Sequence, residues 1–288
     1  MKKHLLAVAV TALAAGSVFA QANDTLAKIK ASGSVTLGVR ESSGLSYTLG
    51  NGKYVGFHTE MGEIVLHDIQ KQLGLAKLDI KYLPVTSQNR VPLVQNGTVD
   101  IECGSTTNNL TRQKQVAYLA VTFITGTKLG SKKGSGITEI EDLEGKAIAL
   151  SQGTTNEKAI KRIAKAKGIK IKIVPVKDHP QGWLALETGR VDAYATDDVL
   201  LYGLISKSKN PGQFQVTGRF LSYDPYGIMV PQDDSTYQRL GNVVLADLMR
   251  SGEMQKIYDK WFNPGPTGIN MPISSTLKTA YEIQALPH

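Results

Sequence analysis

The chain has 288 residues, with 33 Lys and Arg against 25 Asp and Glu, a formal net charge of +8. A hydrophobic content of 41 % with 20 % charged residues excludes a disordered chain, and a single cysteine excludes an internal disulfide, a thiolate zinc site and an iron–sulfur cluster. The length suits roughly two ordinary domains, and the basic balance argues for no polyanionic partner until the charge is located.

The chain starts with a leader pattern. Lys2 and Lys3 precede an apolar run from Leu5 to Ala15, and the small-residue stretch Ser17-Val18-Phe19-Ala20 follows. These are the three regions of a secretory signal peptide, with cleavage expected after Ala20. The run is too short to remain as a membrane span. The only thiol, Cys103, lies far from that cleavage site, so a lipoprotein is not expected. Removing Lys2 and Lys3 leaves 31 basic residues against 25 acidic, a net charge of +6.

Strand and helix patterns then alternate. Val35 to Val39 reads as a buried strand. Glu60 to Leu73 reads as a helix with Met61, Ile64, Val65, Ile69 and Leu73 on one stripe and Gly74 at its end. Leu78 to Leu83 is a strand, Ser87 to Asn96 a helix and Val99 to Ile101 a strand. The second half repeats this: strand Lys146 to Leu150, helix Asn156 to Ala166, strand Ile169 to Val174, helix Gln181 to Thr188 and strand Val191 to Ala195. Such alternation predicts parallel sheets with helices on both faces. Tyr223 to Val230 reads as an extended crossover, and helices follow at Tyr237 to Met249 and Glu253 to Phe262. After Pro264 the Pro- and Gly-punctuated tail reads as surface chain.

An internal echo ties the halves together. Val94-Gln95-Asn96-Gly97-Thr98-Val99-Asp100 resembles Leu186-Glu187-Thr188-Gly189-Arg190-Val191-Asp192. Each reads as a helix end, a Gly cap and a strand start. Running both strands onward puts Ser105 and Asp197 at equivalent carboxyl ends, where open α/β sheets bind ligands. The halves therefore read as two lobes facing one cleft.

No Gly-x-Ser-x-Gly, Walker loop, His-Glu-x-x-His or Gly-x-Gly-x-x-Gly motif is present, and no pair of His residues has metal-ligand spacing. No enzyme motif, cofactor or metal is therefore assigned. What remains at strand ends and helix starts is polar and mostly cationic. Arg40 follows the first strand. Ser87 and Arg90 open a helix. Ser105, Thr107 and Arg112 follow the strand of Asp100. Ser151 and Thr154 lie in a strand–helix turn, where Thr154 and Glu157 fit a capping box and free N–H groups suit an anion. His179 is expected in a loop, and Asp197 at a strand end as the one cleft carboxylate. Arginine forks bind carboxylates bidentately, so a small ligand with two carboxylates and one ammonium would balance this set. The Lys-rich helix from Lys158 to Lys167 reads as a solvated face.

These residues carry a family resemblance. The mature chain resembles, over nearly all its length, the periplasmic amino-acid-binding proteins of ABC importers, and within them the glutamate/aspartate-binding branch. General marks are Gly56-Phe57-x-x-Glu60-Met61, Gly97-Thr98-Val99-Asp100, Gly189-Arg190-Val191-Asp192, Pro225-Tyr226-Gly227-Ile228 and Lys260-Trp261-Phe262. Narrower marks are Thr86-Ser87-Gln88-Asn89-Arg90, Cys103-Gly104-Ser105-Thr106-Thr107-Asn108-Asn109 and Gly153-Thr154-Thr155. Glu60 stands where Asp is commoner, and Ser151 where Thr is frequent.

The resemblance implies an α/β fold of the type II-like periplasmic-binding-protein kind, with two sheet-and-helix lobes joined by two hinge strands. Lobe 1 is expected at 21–124 and 224–288, with lobe 2 inserted at 125–223 and hinges near Phe123 to Lys128 and Phe220 to Tyr226. It also implies a monomeric periplasmic protein that captures L-glutamate or L-aspartate and passes it to a membrane permease. Arg112, Thr107 and the N–H groups around Thr154 are implied for the α-carboxylate, and Asp197 with Ser105 for the ammonium. Arg40, Ser87, Arg90 and His179 are implied for the side-chain carboxylate. Two other readings use the same scaffold: a periplasmic dehydratase of cyclised aromatic precursors, and a sensory amino-acid-binding module.

Overall fold

Apolar β-branched runs, cut by glycine caps, build two five-stranded sheets. The computed structural model describes residues 24–41, 44–264 and 268–287. The leader expected at 1–20 and its cleavage after Ala20 lie outside the described residues. The chain runs first through α1 (Thr25–Ser32), β1 (Ser34–Val39), β2 (Tyr47–Gly50), β3 (Lys53–Val55), α2 (Phe57–Gln72), β4 (Asp79–Pro84), α3 (Arg90–Gln95), β5 (Ile101–Glu102) and β6 (Val116–Thr125). The chain then crosses to β7 (Thr127–Lys132), β8 (Ala147–Ser151), α4 (Thr155–Lys167), β9 (Lys172–Val176), α5 (His179–Glu187), β10 (Ala193–Asp197), α6 (Asp198–Ser206) and β11 (Phe214–Thr217). It returns through β12 (Asp224–Pro231) to α7 (Ser235–Arg250), α8 (Glu253–Phe262) and α9 (Ser275–Gln284).

The first sheet has the order β4-β1-β5-β12-β6 and the second β11-β7-β10-β8-β9; β2 and β3 form a separate hairpin. The expected parallel pairing holds for β1 with β4 and β5, and for β8 with β9 and β10. It fails at the strands nearest the crossings. β12 is antiparallel to β5 and β6, and β7 is antiparallel to β10 and β11. These strands pass directly from one sheet to the other without a crossover helix, so they enter their sheets reversed.

The internal echo is structural. Gly97 and Gly189 both take φ of +74° after α3 and α5, a conformation that glycine adopts without a Cβ penalty. Three residues later an aspartate caps the neighbouring strand in the same way. Asp100 Oδ2 accepts from the Thr36 N–H (2.8 Å), and Asp192 Oδ2 accepts from the Ala147 N–H (2.7 Å).

The two crossings are sewn to each other. The Thr127 N–H donates to Ser222 Oγ (3.0 Å) and the Leu221 N–H to the Thr127 carbonyl (2.9 Å). Gly126 permits this approach, because a Cβ there would lie 2.2 Å from the Ser222 carbonyl oxygen.

The tail departs from the expected irregular chain by forming α9. Ser274 caps this helix, its Oγ accepting from the Leu277 N–H (3.2 Å). The helix covers β6, an edge strand whose free backbone groups need partners. Gln284 accepts from the Val121 N–H (2.7 Å) and donates to its carbonyl (3.0 Å). Elsewhere Glu60 accepts from Lys260 Nζ (2.8 Å) and Trp261 Nε1 (2.6 Å), which ties α2 to α8. Cys103 is buried against Gly62, where a Cβ would sit 2.2 Å from its sulfur. Burial also holds its thiol well above the usual range, so it is a packing residue.

Candidate functional site

Strand ends from both sheets meet between the lobes. Arg40 leaves β1 with no exposed surface, its N–H held by Ser46 Oγ at 2.9 Å. Glycine at position 104 makes room for it: a Cβ there would lie 2.6 Å from Arg40 Cγ and 2.3 Å from Glu102 Oε1. Arg40 Nη2 donates to Ser87 Oγ (2.9 Å) and pairs with Asp178 Oδ1 on the second lobe. Its Nε and Nη1 are buried and have no hydrogen-bond partner.

Arg90 is the first residue of α3. The helix starts three residues later than expected, because Thr86 and Asn89 exchange side-chain-to-backbone bonds that close a turn over 86–89. Ser87 thus sits in that turn, buried beside Arg40. Arg90 Nη1 donates to the Ser105 carbonyl (2.7 Å) and Thr106 Oγ1 (2.6 Å), while its Nε has no partner. Thr106 Oγ1 donates in turn to Glu102 Oε2 (2.6 Å). Burial, then the Arg40 charge, lowers the Arg90 pKa to about 9. Ser105 Oγ is also buried without a partner.

His179 is the first residue of α5 rather than a loop residue. It is buried, and its Nδ1 lies 2.7 Å from the Tyr194 hydroxyl, which lies 3.0 Å from Ser151 Oγ. Burial drives its pKa down to about 3, with the Arg40 and Arg90 charges acting in the same direction, so the ring is neutral. His58, also buried, bridges the Gly104 carbonyl (2.6 Å) and Thr122 Oγ1 (2.8 Å) and belongs to the core of the first lobe.

At the other end Arg112 begins a short 3₁₀ turn. Its Nη1 donates to the Thr107 carbonyl (2.8 Å) and its Nη2 to the Gly153 carbonyl across the cleft (3.2 Å). Thr107 Oγ1 donates to Asp224 Oδ1 (2.8 Å) and lies 3.2 Å from Thr155 Oγ1. Thr154 caps α4, accepting from the Glu157 N–H at 3.0 Å. The return half of the expected capping box shifts by one residue, because Glu157 Oε2 accepts from the Gly153 N–H (3.0 Å).

Asp197 is buried and is not the one cleft carboxylate, contrary to expectation. Its oxygens accept from Asn156 Nδ2 (2.7 Å) and the Tyr226 hydroxyl. Burial, then the nearby Asp224 charge, raises its pKa to about 8 against the pull of those two bonds. Asp178, Glu102 and Asp224 are further buried or partly buried acids of the cleft. For Asp178, burial raises the carboxyl pKa, and the Arg40 charge with the hydrogen bond from the His179 N–H more than reverses this, leaving it below the usual range. Asp178 carried one legible signal, an acidic N-cap directly before a helix, its Oδ1 accepting from the His179 N–H (2.8 Å). Glu102, Asn156, Tyr194 and Asp224 carried none that separated them from ordinary core polarity, and Thr106 and Tyr226 lay inside family marks that assigned them no role. Among the described residues no cluster of three His, Cys, Asp or Glu could hold a metal ion.

The ten expected site residues thus meet as two groups. Arg40, Ser87, Arg90, Ser105, His179 and, through Tyr194, Ser151 form one end. Arg112, Thr107 and Thr154 stand with Asp197 at the other.

Two sheet-and-helix lobes, crossed twice by the chain around a buried polar cleft, define a two-lobed solute-binding protein. Residues 35–264 match the model of the bacterial extracellular solute-binding proteins, family 3, and the chain belongs to this family. The chain is 42 % identical over 282 residues to the L-glutamate/L-aspartate-binding protein of Pseudomonas aeruginosa, covering 95 % of this chain and 93 % of that protein. It is 38 % identical over 288 residues to the glutamate/aspartate import solute-binding protein of Escherichia coli, covering 96 % and 95 %. A solved ancestral arginine-binding protein bound to arginine is similar with a TM-score of 0.71 and 28 % identity, over 80 % of this chain and 98 % of that one.

Proposed function

We propose that the protein captures L-glutamate or L-aspartate between its lobes and delivers it to the membrane permease of an ABC importer, without catalysing a reaction. One observation carries the choice of an acidic ligand. Three guanidinium N–H-bearing nitrogens, Arg40 Nε, Arg40 Nη1 and Arg90 Nε, are buried at one end of the cleft with no hydrogen-bond partner among the described residues. Leaving charged donors so is costly, and a carboxylate satisfies them bidentately.

In this reading Arg40, Ser87, Arg90 and neutral His179 receive the side-chain carboxylate, while Ser151 orients His179 through Tyr194. Arg112, Thr107 and the N-terminal N–H groups of α4 beside Thr154 take the α-carboxylate. Asp197 takes the ammonium from one end of the cleft and Ser105 from the other. The ligand bridges lobe 1 (21–124 and 224–288) and lobe 2 (125–223) and favours their closure about the two crossings. The similarity to named glutamate/aspartate importers supports the ligand class and the permease as partner. The leader pattern and the extracellular family support cleavage after Ala20 and work in the periplasm.

A thermal-shift screen of the twenty amino acids and small dicarboxylates tests this. Glutamate and aspartate should stabilise the protein above all others. Stabilisation by none would overturn the reading.

A further inference from the structure

A cavity of about 360 Å³ lies where the two crossings meet α6, α8 and the tail, and none of the ten expected site residues lines it. Its size suits a small molecule. Four aromatic side chains wall it: Phe123 from β6, Phe220 and Tyr223 from the return segment, and Tyr258 from α8. Phe123 and Tyr258 are buried, whereas Phe220 and Tyr223 are exposed. The Tyr258 hydroxyl donates to the Met271 carbonyl (3.0 Å), so this residue brings its ring to the cavity and not a free hydroxyl.

Among the described residues that line the cavity, Asp198 alone is charged. It is the first residue of α6, where an acid suits the helix dipole, and it is only 5 % exposed. Its Oδ1 accepts from Thr125 Oγ1 and from the Val199 N–H (2.8 Å). Its Oδ2 has no hydrogen-bond or ion-pair partner among the described residues, and it is not sealed off from the cavity. Burial raises the Asp198 pKa in spite of those two bonds and the Lys128 charge. Lys128 does not answer the free oxygen. Its Nζ lies over the Phe220 ring instead, 4.6 Å from the centroid, so an aromatic of this cavity already holds a cation.

These groups select the guest by its charge. An anion would be repelled by Asp198. A neutral apolar guest would bury Oδ2 without a partner, which costs free energy. A hard metal ion needs about six oxygen ligands, and among the described residues no cluster of three His, Cys, Asp or Glu could hold a metal. An organic ammonium gives Oδ2 a charge-assisted donor and sets both its charge and its apolar part against the rings.

We propose that this cavity is a second binding site, for a small organic cation with one ammonium group on an apolar body. The ammonium donates to Asp198 Oδ2, and the body fills the space among Phe123, Phe220, Tyr258 and Leu277. The site is separate from the amino-acid cleft, so the inference stands or falls apart from the importer reading.

The test titrates the full chain with three probes of one shape: phenethylammonium, 2-phenylethanol and 3-phenylpropionate. Excess glutamate is present, so that the ammonium is not drawn to Asp197. Phenethylammonium should bind at least about tenfold more tightly than either of the others by calorimetry. Asp198→Asn keeps an acceptor for Thr125 and the Val199 N–H, and it should erase that preference. Phe220→Ala, an exposed side chain whose loss the fold tolerates, should weaken phenethylammonium about two- to fivefold. With the methionine methyls labelled for NMR, the Met271 signal should shift on titration and that of Met61, buried in the first lobe, should not. Equal binding of the three probes, binding of none, a preference that survives Asp198→Asn, or an unmoved Met271 signal would each overturn the site.

Discussion

The two ends of the cleft satisfy their charges in opposite ways. At the acid end each carboxylate oxygen has a donor from the protein itself. Asp197 is held by Asn156 and Tyr226, and Asp224 by Thr107 and Ser222. At the arginine end three guanidinium nitrogens, Glu102 Oε1 and Ser105 Oγ have no hydrogen-bond partner among the described residues. Burial acts on both ends with different results. It raises the Asp197 pKa to about 8, so this acid takes a proton near neutrality. It lowers the Arg90 pKa to about 9 and leaves the group charged. The arginine end thus holds a standing demand for an anion, while the acid end adjusts its charge to whatever lies beside it. The arginine end should decide which amino acid binds, and the acid end whether any amino acid binds.

The strongest way to break this contrast is Asp197→Asn. It removes the partner of the ammonium, which every amino acid carries. Losing one side of a buried, hydrogen-bonded charge pair costs about 2–5 kcal/mol, so affinity should fall roughly 30-fold to several thousand-fold. The loss should be the same for glutamate, aspartate and glutamine by calorimetry. A loss confined to the acidic ligands would place Asp197 at the wrong end. Next in size is Arg90→Ala, read as the ratio of glutamate to glutamine affinity. A charge-assisted bond contributes about 1.5–3 kcal/mol, so the ratio should drop by about 10- to 150-fold. Equal losses for both ligands would remove Arg90 from the side-chain carboxylate.

The pH dependence sharpens the same comparison. Asp197 binds a proton in the folded protein below about pH 8, against 3.8 for the model carboxyl. Its contribution to stability is therefore present at low pH and lost as pH rises toward 8. Asparagine resembles the protonated form at every pH. The ligand-free Asp197→Asn variant should melt at about the wild-type temperature at pH 5 and a few degrees higher at pH 9. A midpoint difference that does not change with pH would show that Asp197 is ionised throughout.

The arginine end was the more legible of the two. Arg40, Ser87, Arg90 and Ser105 follow from one rule, that ligands gather at strand carboxyl ends, applied to strands with clear apolar runs. The echo of Gly97 and Gly189 was local and carried both lobes. The acid end depends on pairs with no local trace: Asn156 meets Asp197 from 41 residues away, and Thr107 meets Asp224 from 117. Tyr226 lay inside a family mark, yet nothing near it in sequence shows that its hydroxyl reaches Asp197. The tail helix failed for a different reason. Its Ser274 cap was readable, but the prolines and glycines before it dominated the reading.

The smallest expected effect tests the Arg40–Asp178 pair, which joins the two lobes at the arginine end. Asp178 takes Nη2 of Arg40, and the unpartnered Nε and Nη1 remain for a ligand. Its carboxylate belongs to the second lobe and Arg40 to the first, so the pair forms on closure and is lost on opening. Asp178→Asn should weaken that closure without touching the ligand. A protein less often closed binds every ligand more weakly by the same factor, and here the factor should be about 3 to 10. Glutamate, aspartate and glutamine should therefore lose affinity together, and the distance between labels on the two lobes should lengthen in the ligand-free protein. If glutamate alone changed, Asp178 would be acting on the side-chain carboxylate, and selection at the arginine end would extend to an acid as well as to its two arginines.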